Sequence, residues 1–248
     1  AGNDFLIIDN RILKIDQDTK KRLVRKACVR RFGVGGDGVI FIESSEDHDF
    51  RWDFYNSDGS IAEMCGNGAR CAARYAFLND IAGKKLTFET LAGTIEAEIY
   101  SDQQVKVRMT DPFGMKEMKP VMLEGVENRV MFINTGVPHA VIFTKDENAP
   151  VDKWGALIRF HDQFQPEGTN ANFVVVRADG TLLVRTYERG VEEETQACGT
   201  GAVAAAITGA KEGVAVSPVT VVTTGGAHLK IFFNINDDGS VTDVYMQG

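Results

Sequence analysis

The order of apolar and polar positions predicts a chain built mostly of short strands. Phe5-Leu6-Ile7-Ile8, held between Asp4 and Asp9, is a short apolar run of the buried-strand type, and Val39-Ile40-Phe41-Ile42 is another. Phe50 to Tyr55 alternates as a half-buried strand does, ahead of the turn-forming Asn56-Ser57-Asp58-Gly59. Leu86–Thr90, Thr94–Tyr100 and Val105–Thr110 read as three more strands, with a tight turn at Ala92-Gly93. Residues 18–31 place Leu23, Val24, Ala27 and Cys28 on one face among Lys and Arg, an amphipathic helix that ends near Gly33. The polar stretch 112–128, with Pro112 and Pro120, reads as a crossover. Beyond it the plan repeats: strands at 129–134, 140–144, 173–177, 182–187, 219–223, 229–234 and 241–246, and a helix from Pro150, where proline suits the first turn, to Arg159.

Two further helices differ in kind. Ala69–Leu78 carries Ala72, Ala73, Tyr75, Ala76 and Phe77, and Ala202–Ala210 is richer still in alanine. A helix apolar nearly all round has to be enclosed. Both open on one motif, Met64-Cys65-Gly66-Asn67-Gly68-Ala69 and Ala197-Cys198-Gly199-Thr200-Gly201-Ala202, at an offset of 133 residues. The same offset sets Gly35-Gly36-Asp37-Gly38 opposite Gly168-Thr169-Asn170-Ala171, and one of 134 sets Gly2-Asn3-Asp4-Phe5 opposite Gly136-Val137-Pro138-His139. That period is far too long for a solenoid. The expected architecture is therefore α+β in two pseudo-symmetric halves, 1–115 carrying Cys65 and 116–248 carrying Cys198. Each half is expected to be a curved, mostly antiparallel sheet or barrel around a central helix, with the active site in the cleft between them.

Composition narrows the function. A net charge of −8 argues against general affinity for nucleic acid or anionic membrane. No apolar run approaches the roughly 18 residues of a membrane span, and the start shows no secretory h-region. Four cysteines in 248 residues are few for a disulfide-stapled secreted chain, so a cytoplasmic thiol protein is expected. Cys65 and Cys71 lack metal-ligand spacing and the four histidines are scattered, which disfavours zinc. The glycine loop 33–38 precedes a strand and has no following Lys-Ser/Thr, which makes a nucleotide cradle a weak reading.

A cysteine at the mouth of a helix meets unpaired N–H groups that lower a thiol's pKa, and the flanking glycines let those groups approach an anion. Two such turns facing each other would hold a carboxylate with one sulfur on each side of the neighbouring carbon. Inverting a stereocentre needs a base on one face and an acid on the other, and the enolate-like intermediate puts added charge where N–H dipoles stabilise it. Such chemistry calls for neither pyridoxal phosphate nor a metal, so no cofactor is expected.

Gly2-Asn3-Asp4-Phe5, Arg31-Phe32-Gly33-Val34-Gly35-Gly36-Asp37-Gly38, Tyr55-Asn56-Ser57-Asp58-Gly59-Ser60, Glu63 to Cys71, Gly168 to Phe173, Glu188-Arg189-Gly190 and Glu194 to Gly201 together closely resemble the diaminopimelate epimerase family over nearly the whole chain. The resemblance implies cofactor-independent interconversion of LL- and meso-diaminopimelate in lysine and cell-wall synthesis. It implies Cys65 and Cys198 as acid and base, assisted by His139 and Glu188. Backbone at Gly66, Asn67, Gly199 and Thr200 would cradle the reacting carboxylate. Asn3, Asn56, Asn170 and Arg189 would hold the rest of a small amino-acid substrate, with Arg189 suited to a bidentate grip on the distal carboxylate. The oligomeric state is open, a homodimer included. Three departures stand out: Val137 in place of the family's common Asn, Gly38 in place of a frequent Gln, and a loop Gly190–Glu194 one residue longer than usual. The family pattern also extends before Gly2 and beyond Gly248, so truncated or disordered ends are expected.

Taken singly, Cys28, Cys71, His48, His161 and His228 read as structural residues, the two cysteines on apolar helix faces. Glu194 is placed to favour the second enclosed helix by its charge. The alternatives are a proline or histidine racemase of the same fold, and a non-catalytic carboxylate binder with a structural disulfide.

Overall fold

The computed structural model describes residues 2–248 and divides into two compact units, Asn3–Arg108 and Met109–Gly248, the second also including Gly2. The division falls a few residues before the expected 115/116 boundary, because the next strand pairs within the second unit.

In the first unit, strand β1 (Phe5–Asp9) leads through a one-turn helix α1 (Asn10–Leu13) and an outer helix α2 (Gln17–Ala27) to β2 (Gly38–Glu43) and β3 (Phe50–Asn56). The central helix α3 (Gly66–Leu78) follows, then β4 (Lys85–Thr90), β5 (Gly93–Ser101) and β6 (Gln104–Arg108). Strand order is β1-β2-β3-β4-β5-β6. Pairs β1/β2 and β3/β4 are parallel and the rest antiparallel. Asp16 starts α2 by accepting the Thr19 N–H, a side-chain N-cap. The helix stops at Ala27, four residues short of the expected end. Its inner face packs Val24 and Cys28 on Val39, Phe41 and Tyr55. Lys20, one turn before Val24 on the same face, is 3% exposed. Its ammonium is held by Glu43 and by Asp53, the latter at 2.6 Å. On the other side of the sheet α3 packs against β1, β2, β5 and β6, with Ala69, Ala72, Ala73 and Ala76 fully buried.

The second unit begins with β7 (Phe113–Glu117) and a hairpin of β8 (Val121–Leu123) and β9 (Val126–Asn128), so the expected crossover carries regular structure. Then come β10 (Met131–Asn134), β11 (Pro138–Phe143), the outer helix α4 (Val151–Arg159), β12 (Asn170–Val176), β13 (Leu182–Tyr187) and the two-residue β14 (Glu194–Thr195). The central helix α5 (Gly199–Lys211) precedes β15 (Val219–Thr223), β16 (His228–Ile235) and β17 (Val241–Gln247). The order is β17-β16-β15-β13-β12-β11-β10-β7, with β11/β12 and β13/β15 parallel. Those two parallel pairs stand where β1/β2 and β3/β4 stand in the first unit, as a duplicated plan requires. Helix α4 covers one sheet face through Val151 and Ile158 on Ala140, Ile142 and Phe173. Helix α5 fills the other face, and Gly201 to Gly209 are buried without a break. Glycine and alanine let strands approach that helix from every side, which a larger side chain would prevent.

Candidate active site

Both motif cysteines are N-cap residues. In the first unit Cys65 has extended backbone (φ −148°, ψ 119°) and its Sγ accepts the Gly68 N–H at 3.5 Å, so α3 begins at Gly66, three residues before the expected start. In the second unit Cys198 (φ −115°, ψ 112°) accepts the Gly201 N–H at 3.4 Å and lies 3.5 Å from the Thr200 hydroxyl. A thiol thereby takes the place that Ser, Thr, Asp or Asn occupies at most helix starts. The Gly66 and Asn67 N–H groups, like those of Gly199 and Thr200, belong to the first turn that lacks intrahelical acceptors. All four cysteines are thiols.

The helix N-terminus alone predicts a depressed thiol pKa, and for Cys65 that expectation is corrected. Burial pushes the Cys65 thiol above its ordinary value. Hydrogen bonds from the Gly68 and Asn67 backbone and the Arg70 charge offset only part of this. The residue retains some exposure, but protein packs densely around the sulfur, and desolvation of a thiolate outweighs a few dipoles. Cys71, expected on an apolar face, is exposed.

Around Cys65 the polar groups form one chain of bonds. Asn67 Nδ2 donates to Asn3 Oδ1 at 2.6 Å, and Asn3 Nδ2 donates to Asp37 Oδ2 at 2.9 Å. Arg30 bridges Asp4 and Asp37 at 2.7 and 3.0 Å, tying β1 to the glycine loop. Asn56 ends β3 directly opposite Gly38, and its amide donates to the Ser60 hydroxyl at 3.0 Å. Gly38 itself is required by packing: a Cβ there would lie 2.5 Å from the Tyr55 carbonyl oxygen, so this backbone has no room for the family's frequent Gln.

Around Cys198 the support comes from the sheet. His139, the second residue of β11, lies beside Asn170 of β12, fully buried. Its Nδ1 accepts from Asn172 Nδ2 at 3.1 Å, which leaves the proton on Nε2, a buried atom with no partner among the described residues. Burial pushes the imidazole pKa down to about 3, so the ring is neutral near pH 7. Asn172 also donates to the Ala140 carbonyl at 2.9 Å and accepts from the Thr186 hydroxyl at 2.9 Å. Its Oδ1 touches the first turn of α5, 2.4 Å from where a Cβ on Gly201 would stand. Thr135 donates its hydroxyl to the Thr200 carbonyl at 3.0 Å.

Glu188 and Arg189 follow β13. Burial raises the Glu188 carboxyl, opposed only by the nearby Thr195 hydroxyl, which does not close a hydrogen bond. Asn170 Oδ1 accepts the Arg189 N–H at 2.8 Å, and the Arg189 guanidinium donates to the Glu167 carbonyl at 2.9 Å. The extra residue of the 190–194 loop is absorbed in a turn. Gly190 and Glu192 take positive φ, and Glu188 N still bonds the Glu193 carbonyl at 3.1 Å. Glu194 does not serve α5. It accepts a bidentate fork from Arg185 at 2.8 and 2.6 Å instead.

The first unit thus joins Cys65, Gly66, Asn67 and Asn3. The second joins Cys198, Gly199 and Thr200 in one turn, and His139 with Asn170 and Arg189 along the sheet. Sequence reasoning assigned no role to Asp37, Arg70, Asn172 or Thr186. Asn172 carried a signal, since Asn170 and Asn172 share one face of a strand of period two. Among the described residues no three His, Cys, Asp or Glu side chains cluster to hold a metal.

The family described as diaminopimelate epimerase matches residues 1–113 and 131–248. The chain belongs to the diaminopimelate epimerase family. The diaminopimelate epimerase of Aquifex aeolicus (strain VF5) is 50% identical over 245 residues, covering 94% of this chain and 88% of that one. That of Archaeoglobus fulgidus is 44% identical over 237 residues, covering 91% and 84%. The family is one of isomerases, and the interval outside the match, 114–130, holds the β8–β9 hairpin. Among solved structures, a PhzF-family phenazine biosynthesis protein from Bacillus anthracis has a TM-score of 0.71 at 16% identity, covering 100% of this chain and 90% of that one. A hydroxyproline epimerase from Agrobacterium vitis has a TM-score of 0.66 at 16% identity, covering 94% and 81%. At these identities the structures share the fold alone.

Proposed function

We propose that this isomerase interconverts LL- and meso-2,6-diaminopimelate by proton transfer at the α-carbon, one thiol taking the proton as the other returns one. What carries the reading, within a family whose relatives bear that name, is that Cys65 and Cys198 both cap an enclosed helix in the same backbone conformation. Each turn offers an acid/base sulfur and first-turn N–H groups for a carboxylate. The scheme requires the two sulfurs to reach opposite faces of one bound stereocentre. A thiolate made unfavourable by burial is a stronger base once formed, which suits abstraction from a weak carbon acid. Developing charge on the carboxylate is met by N–H dipoles already in place. His139, neutral, and Glu188, its carboxyl pKa raised by burial, would assist the thiols. Asn3, Asn56, Asn170 and Arg189 would grip the substrate's remaining polar groups.

We further place this chemistry in the cytoplasm, where free thiols persist. Among the described residues no helix is long and apolar enough to cross a membrane. A small zwitterion suits an acidic protein better than a nucleic acid or an anionic lipid surface would, and light scattering distinguishes a monomer from a homodimer. The deciding assay incubates the protein with LL-diaminopimelate in deuterium oxide. Deuterium at the α-carbon together with meso product is expected. Cys65→Ala and Cys198→Ala should each lose about 10²–10⁴-fold in kcat, the usual range for a general acid or base. Exchange with proline or histidine but not diaminopimelate would overturn the substrate, and full activity in either variant would overturn the two-thiol scheme.

A further inference from the structure

The Cys65 helix carries a charged side chain inside its buried stretch. Arg70 is 8% exposed, and its guanidinium donates from Nη2 to Asn67 Oδ1 at 2.8 Å and from Nη1 to the Gly66 carbonyl at 3.3 Å. These are the two residues whose N–H groups form the proposed carboxylate cradle. An asparagine amide has two chemically different ends, and Arg70 decides between them: a guanidinium only donates, so Oδ1 must turn toward it and Nδ2 away, toward Asn3. At the corresponding place five residues after Cys198 stands Val203, an aliphatic side chain. The device therefore belongs to one half of the duplicated plan.

We propose that Arg70 is a positioning residue for the Cys65 half of the reaction, holding the Asn67 amide and the Gly66 peptide in register for the substrate carboxylate and keeping a fixed cation within the first two turns behind the sulfur. The inference rests on the epimerase reading above. Burying a guanidinium among alanines is costly unless its donors are used. Such a cation favours the charged form of a neighbouring thiol over the neutral one. The direction of the Arg70 contribution at Cys65, opposing the effect of burial, agrees with this placement. At the corresponding place behind Cys198, Val203 supplies no charge.

The test uses the full chain with Arg70→Met and Arg70→Lys, reading two quantities. The first is the rate of iodoacetamide alkylation at Cys65 and at Cys198, localised by tandem mass spectrometry without substrate. The second is kcat/KM for epimerisation. In Arg70→Met, alkylation of Cys65 should slow severalfold as its thiolate fraction falls, while Cys198 changes by less than about twofold. Arg70→Lys should keep most of the Cys65 alkylation rate, yet still lose kcat/KM severalfold, because an ammonium cannot hold both acceptors as a planar fork does. An unchanged Cys65 rate in folded Arg70→Met overturns the proposal, as does an equal fall at both cysteines. Should Arg70→Met fail to fold, Arg70→Lys decides alone: wild-type kcat/KM would overturn the positioning role. Absence of exchange in the wild-type protein would defeat the epimerase reading instead, and the substrate-free alkylation contrast would still decide the charge of Arg70.

Discussion

The two cysteine turns share a backbone and differ in nearly everything that supports it. The third residue of β2, and of its counterpart β12, faces the glycine of the helix's first turn. In one unit that residue is Ile40, whose Cδ1 would lie 3.3 Å from a Cβ at Gly68; in the other it is Asn172, whose Oδ1 would lie 2.4 Å from a Cβ at Gly201. The Cys65 turn rests on hydrocarbon, and its polar support runs from Arg70 and Asn67 of its own helix out to Asn3. The Cys198 turn has an aliphatic helix and is met from outside it, by the Asn172 amide at Gly201 and by the Thr135 hydroxyl on the Thr200 carbonyl. Duplication kept the backbone turn, its bare N–H groups and the capping thiol. The remaining positions were free to diverge, provided each buried donor found an acceptor. One half keeps a buried cation and the other a buried neutral ring, which makes the two halves respond differently to acid.

That difference predicts the largest effect. His139 has a folded pKa of about 3 against an ordinary 6.5, so between those values the unfolded chain binds a proton that the folded chain refuses. Stability should therefore fall as pH drops from 6.5 toward 3, by about 1.4 kcal/mol per pH unit from this residue. Urea melts of wild type and His139→Gln across that range test it. The same slope in both would remove the neutral buried ring from the comparison. Next in size, Gly201→Ala should cost about 1–3 kcal/mol, because its methyl group meets the Asn172 amide that Thr186 and Ala140 hold in place. Gly68→Ala meets the end of a flexible isoleucine and should cost clearly less. Equal losses in the two variants would show that the polar and apolar floors do not differ in rigidity. Smallest is Glu188→Gln. A carboxyl raised by burial contributes stability that is fully present in acid and lost as pH rises through its folded pKa. The amide should thus be more stable than wild type at pH 7, by about 0.5 kcal/mol, and lose that advantage below the ordinary carboxylate range. A less stable variant at pH 7 would mean that the carboxylate is held by bonds stronger than its burial.

Much of this was legible in residue order. The offset between Cys65 and Cys198 exposed the duplication, and alternation or short apolar runs located most strands to within a few residues. The alanine-rich segments announced enclosed helices because no polar face was available to water. The polar stretch 112–128 was harder. Strand β7 is exposed at all but Met115, and β8 and β9 are only three residues each, too short to show a period even though β8 buries Val121 and Leu123. The helix start at Gly66 was read three residues late because glycine has low helix propensity, and only the cysteine cap reveals that those glycines are already helical.

Residue order by itself determined the two-fold plan, the strand-rich class, the thiols at the mouths of two helices and the family. These depend on local pattern and on repeats along the chain, both of which are written in one dimension. Only the tertiary structure decided that Lys20 is buried between two carboxylates, that Asn172 rather than any helix residue supports the second turn, and that the Cys65 thiol is raised instead of lowered. Each of these depends on which distant side chains arrive to replace water, and desolvation is a property of that assembled surrounding, not of the motif.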